Sequence, residues 1–246
     1  MHKLGKYRLC LQEKPLADSH IIPEFLYKPL YDEMHRLHVL SSKSGITPND
    51  IQKGYRERLL CTGQESCEEQ FSRWERYASQ VLFHTPIKGE GYDDALVIRG
   101  INYEQFKLFQ MSLLFRAGVA KHPAFADAKL GPHEEHLRRM LIDKDPGQPY
   151  KYGCMILVPA RMEEWHEQLI VSPASRRFQG YRTIAFILNG LLWLYFVSSH
   201  NEKIPIQNSF LMKDGILPLL LIKPEVYKTM LGRILRSFAG GNNLKR

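Results

Sequence analysis

The sequence lacks the signatures by which many enzymes are known. It has no G-x-x-x-x-G-K-[ST] loop, no G-x-G-x-x-G, no H-E-x-x-H and no G-x-S-x-G. A P-loop hydrolase, a dinucleotide-binding oxidoreductase, a zincin and an α/β-hydrolase are each left without their characteristic element. Cysteine is scarce, with 4 in 246 residues. The opening Met1-His2-Lys3-Leu4-Gly5-Lys6 leads into polar sequence, not an apolar leader. A disulfide framework is therefore not expected, and a cytoplasmic, reducing setting is. Long apolar runs are short of span length too. The best candidate, 183–197, is shorter than the roughly twenty residues a helix needs to cross a bilayer. It carries Asn189-Gly190 at its centre, a dipeptide that favours two-residue hairpin turns. The run is predicted to be two buried strands, with no membrane partner.

What is present is an ordinary globular composition with a basic balance. Hydrophobic residues make up 44% and charged residues 24%, enough for one large domain or two small ones. The formal charge of +8 favours an anionic partner, of which nucleic acid is the commonest. The arginines are scattered, not gathered in one run.

Residues 7–22 read as a short β-rich knuckle with a polar turn at Gln12–Pro15. Pro23 can then open a helix carrying Phe25, Leu26, Leu30, Met34 and Leu37, with Pro29 kinking or splitting it. A loop covers 41–50, a strand returns over 55–61, and a helix starts at Glu68 with Phe71, Trp74, Ala78 and Val81 on one face. Pro86 and Lys88–Gly91 mark the expected boundary. Beyond it, Asn102 and Gln105 have capping-box spacing before a helix predicted to be buried on most sides. A second helix is predicted from His133 to about Asp143. Strands follow near 153–158, 166–172, 180–188, 191–198 and 216–222, with Arg176-Arg177 in a turn. A last helix runs from Pro224 to about Phe238. The expected class is α+β: a small N-terminal module over 1–88, then 89–246 with a helical segment and an antiparallel β-sheet.

The candidate chemistry lies in the first part. Cys10, Ser19-His20-Ile21-Ile22-Pro23, Leu59-Leu60-Cys61 and Cys67-Glu68 occur in an order that resembles HNH-type (ββα-metal) nucleases, within a bacterial family bearing an S-H-I-I-P motif. The resemblance covers about 1–85. It implies a zinc-knuckle-like ββα-metal module and a single-metal endonuclease, with a place in bacterial genome defence or mobile-element biology. His20 would be the general base that deprotonates the attacking water. Glu68 would hold the catalytic Mg or Mn. Cys10, Cys61 and Cys67 would hold a structural zinc. Arg56, Arg58, Arg73 and Arg76 are candidate nucleic-acid contacts, DNA being favoured over RNA.

The departures from the pattern carry their own expectations. Tyr7 stands where the first knuckle cysteine belongs, and five residues instead of two separate Cys61 from Cys67. Ser19 replaces the usual aspartate, and Glu68 replaces the usual final histidine. Either His2, Asp18 or a water completes the zinc site, or the zinc has been lost. Glu75, two turns beyond Glu68, is given a supporting role. These changes leave a second reading open, in which the module is an inactive scaffold that binds nucleic acid or protein. Residues 89–246 are a further candidate for a protein partner. In structural terms His20 reads equally as a hairpin histidine bonded to backbone, the cysteines as small buried apolar groups, and Glu69 as the i,i+4 partner of Arg73.

Overall fold

A computed structural model of the chain describes residues 4–6, 8–31, 33–34, 36–38, 50–52, 54–63, 65–84, 88–92, 95–160 and 170–239. In chain order the first elements are β1 (Leu4–Lys6), β2 (Glu13–His20), α1 (Glu24–Tyr27), β3 (Arg36–His38), β4 (Asp50–Gln52), β5 (Arg56–Cys61) and α2 (Cys67–His84). There follow β6 (Lys88–Tyr92), β7 (Ala95–Ile98), α3 (Tyr103–Val119), α4 (His133–Ile142), β8 (Cys154–Pro159), β9 (Val171–Phe178), β10 (Tyr181–Leu188), β11 (Leu191–Phe196), β12 (Leu217–Ile222) and α5 (Pro224–Ala239).

The class is α+β. Strands β1, β2 and β5 form an antiparallel sheet in that order, β3 and β4 a small ribbon, and the other seven a sheet ordered β6-β7-β12-β8-β11-β10-β9. Every neighbouring pair in the large sheet is antiparallel except β12 with β8, so the expected antiparallel sheet contains one parallel pair.

Alternation along the strands explains why the apolar runs are unbroken. Trp193 and Tyr195 of β11, with Ile184 and Phe186 of β10, join one core cluster with Phe106, Phe109 and Leu113 of α3. Their neighbours Leu192, Leu194, Phe196, Ala185 and Ile187 join another with Tyr227 and Leu231 of α5. A sheet covered on both faces has no solvent side, so its strands need no polar alternation. No helix among the described residues is long and apolar enough to cross a membrane. Asn189 and Gly190 have φ of 51° and 69°, the left-handed pair a type I′ hairpin requires.

Helix α3 is the hub. Asn102 caps it by accepting from the Gln105 N–H at 3.0 Å, and its side chains are buried from Phe106 through Val119. Its cluster also takes in Ile21, Ile22, Leu26, Leu60, Phe71 and Trp74. One continuous apolar cluster thus includes residues from both sides of the boundary expected at 88.

Several expected bounds move. Residues 13–15 lie in β2, paired with β1, and the chain turns earlier, where Leu11 has φ 58°. The helix after Pro23 stops at Tyr27 and gives way to a 3₁₀ turn over Lys28–Leu30. Pro29 brings no amide hydrogen and its ring crowds the preceding turn, while Leu37 lies in β3. Lys88–Tyr92 is a strand, because its backbone pairs with β7. Arg176 and Arg177 lie within β9, paired with Thr183 and Arg182, and the turn is Gln179-Gly180, again with two positive φ values. Of the loop predicted at 41–50, Asp50 begins β4, while residues 41–49, Pro86, most of the strand predicted at 166–172, and the predicted terminal stop at Gly240-Gly241 lie outside the described residues.

Candidate metal centre

The cysteines converge because of a turn, despite their long spacing. Cys61 is the last residue of β5 and Cys67 the first of α2. Between them Gly63 and Glu65 adopt φ of 114° and 52°, reversing the chain so that the Cys67 amide donates to the Cys61 sulfur at 3.1 Å. Cys10 comes in from the bend before β2. The three Sγ atoms all lie within 4.8 Å of one another, Cys61 and Cys67 buried and Cys10 half-buried. All three are free thiols, and burial, then the adjacent Cys61 and Cys10 sulfurs, push the Cys67 thiol up.

These residues fit a zinc ion. A Zn–S bond of about 2.3 Å in tetrahedral geometry sets sulfurs roughly 3.8 Å apart, so sub-ångström adjustments bring the three thiols onto three ligand positions. Of the fourth ligands considered, Asp18 is turned to solvent and lies 3.6 Å from the Arg56 Nε. His2 and Tyr7 lie outside the described residues. Cys154 is elsewhere, buried in β8.

The strand that follows Cys10 carries the second half of the constellation. Ser19 is fully buried, and its hydroxyl donates to Glu68 Oε2 at 2.6 Å, a short charge-assisted bond. Glu68 is the second residue of α2. Register places Ser19 opposite Glu57, and His20 opposite Arg56. Because a strand's side chains alternate, Ser19 and His20 leave β2 on opposite sides.

A residue from α3 closes this arrangement, and sequence reading did not find it. The Arg116 side chain is 3% exposed. Its Nη1 donates to the His20 carbonyl at 2.9 Å and to Glu75 Oε1 at 2.6 Å, while the guanidinium carbon lies 5.5 Å from the Phe71 ring centroid. Burial pushes the Glu75 carboxyl up, and the Arg116 charge opposes that. Glu75 is thereby tied to α3 through Arg116. The only sequence sign of Arg116 was a cation inside an otherwise apolar helical stretch.

The candidate nucleic-acid contacts divide. Arg56 and Arg58 are exposed on β5, opposite His20 and Asp18 in the register. Arg73 is held by Glu69 at 2.6 Å, the i,i+4 pair anticipated, and Arg76 is exposed on the same helix. No family model, curated protein or solved structure matches the chain.

Proposed function

We propose that the chain is an HNH-type endonuclease that hydrolyses nucleic-acid phosphodiester bonds with one divalent metal. The observation that carries this reading is the Ser19–Glu68 hydrogen bond, which sets the carboxylate of α2 against the residue preceding His20. A bound Mg²⁺ or Mn²⁺ would stabilise the scissile phosphate and the leaving oxygen. Such ions are commonly held by one or two carboxylates together with substrate phosphate, so Glu68 serves as the protein ligand even with serine at position 19. In-line hydrolysis needs the attacking water and the leaving oxygen on opposite sides of phosphorus. His20 would accept the water's proton at a ring nitrogen, and Glu68 would hold the metal that meets the leaving oxygen. Arg56 and Arg58 would meet backbone phosphates, and zinc in the thiol cluster would hold β5 to α2.

The test is Mg²⁺- or Mn²⁺-dependent cleavage of DNA and RNA by the purified full chain. His20→Ala is expected to lower the rate by about 100-fold or more, the usual contribution of a general base. An inert wild-type protein, or equal cleavage by His20→Ala, sinks the reading. The complete burial of Ser19 favours a second one, a module retained as a nucleic-acid-binding scaffold. Its sign would be a salt-sensitive gel shift without cleavage.

A further inference from the structure

A pocket of about 340 Å³ lies apart from the thiol cluster and β2, where the start of α4 meets the chain leaving β11. Its wall carries His133 and His136, one turn apart on α4, together with Lys151, Ser198 and Ser199. Tyr152 is built in as the floor. It is 3% exposed, its ring lies 5.9 Å from that of His133 and 6.0 Å from that of His136, and its hydroxyl donates to the His133 carbonyl at 3.3 Å.

The charges around this pocket share one sign. Burial and then the charges of Arg182, His136 and Lys151 hold His133 below the usual imidazole range, and no carboxylate is among the groups that act on it. Arg182 is fixed in place, donating to the carbonyls of Lys129 and Leu130 beside the segment that leads into Pro132. The acidic residue nearest His136 in sequence, Glu135, is engaged by Arg138 at 2.7 and 2.9 Å and by Arg139 at 2.8 Å. No acidic residue lines the pocket. Like charges gathered in a concave site repel one another until an anion enters, and low-dielectric walls concentrate that field.

We propose that this pocket binds a phosphate group, that of a free nucleotide or of a nucleic-acid end, with Lys151 supplying charge and the two imidazoles and the serine hydroxyls supplying hydrogen bonds. Phosphate suits this lining better than carboxylate, since it offers three oxygens and up to two charges to donors converging from three chain segments. The inference does not depend on nuclease activity and can be tested in the His20→Ala protein.

The experiment is calorimetric titration of the full chain at neutral pH and near-physiological salt. The probes are inorganic phosphate, adenosine monophosphate, and one oligonucleotide with and without a 5′-phosphate. The comparison protein is His136→Gln/Lys151→Gln, which keeps the buried Tyr152 floor; its circular dichroism and melting should match wild type. Expected is saturable binding of a phosphate-bearing probe, weakened about tenfold or more in the double variant. Tighter binding of the mononucleotide assigns a free nucleotide; tighter binding of the 5′-phosphorylated strand over its unphosphorylated twin assigns a strand end. Absence of saturable binding by every probe, or binding undiminished in the folded double variant, overturns the proposal.

Discussion

Arg116 ties a carboxylate, an aromatic ring and a strand end into one unit, and its worth is measured by what its loss would strand. Removing it leaves the Glu75 carboxylate largely buried without this counter-charge, and takes one donor from the His20 carbonyl. Breaking a buried ion pair from one side costs about 3–5 kcal/mol. Arg116→Met is therefore expected to lower stability by that order in urea denaturation. Adding Glu75→Gln should recover part of the loss, because the orphaned charge goes with it. This contact was not legible in the sequence. Glu75 is ordinary in its own helix, Arg116 stands out only as a cation in an apolar stretch, and only the packing of α2 on α3 brings them together. The clustering of Cys10, Cys61 and Cys67 was legible because short motifs announce it.

At the level of elements, the turn between β5 and α2 decides whether the thiols form a site. A zinc ion there would bind the end of one strand to the start of a helix, so metal binding would contribute directly to folding. Elemental analysis is expected to find about one zinc per chain, lost in Cys61→Ser, with chelator lowering the melting temperature of wild type alone. The spacing from Cys61 to Cys67 looked too long for a knuckle. What repairs it is backbone conformation at Gly63 and Glu65, which a residue pattern does not record. Helix α3 offers a second element-scale test. Lys107 is fully buried, its ammonium donating to the carbonyls of Pro149 and Tyr152 at 3.1 Å each, and burial lowers its pKa from 10.5 to about 7. Between those values the unfolded chain holds a proton that the folded chain does not, so stability rises with pH across that window and is lost as pH falls to about 7. Wild type should gain roughly 2–3 kcal/mol over Lys107→Met between pH 7 and pH 9, at up to about 1.36 kcal/mol per unit. Denaturation at the two pH values checks this. Equal pH dependence in both proteins would contradict it.

For the molecule as a whole, the apolar cluster that includes Ile22, Phe71, Phe109 and Trp193 runs through the described parts of both expected regions. Cooperative units follow shared cores. The full chain is therefore expected to unfold in one transition, with circular dichroism and tryptophan fluorescence giving the same midpoint. Residues 1–88 produced alone should lack that transition. Two transitions with separate midpoints would count against a shared core. The α+β class was readable from helical and alternating patterns, and Asn189-Gly190 fixed one hairpin in advance. The assembly was less readable. The glycines of 88–91 suggested a boundary, whereas hydrogen bonding to β7 makes 88–92 a strand, and Gln179-Gly180 is a weaker turn signal than Asn-Gly.

The two-sided covering of the large sheet also bears on how the chain is made. Synthesis runs from the N-terminus, and domains begin to organise as they emerge. When β10 and β11 appear, α3 already exists to receive Phe186, Trp193 and Tyr195. The other face, with Leu194 and Phe196, must wait for Tyr227 and Leu231 of α5, encoded well downstream. In that interval a nascent chain carries an uncovered greasy surface on one side of its main sheet. Ribosomes stalled before residue 224 would therefore present a natural substrate for chaperones and proteases.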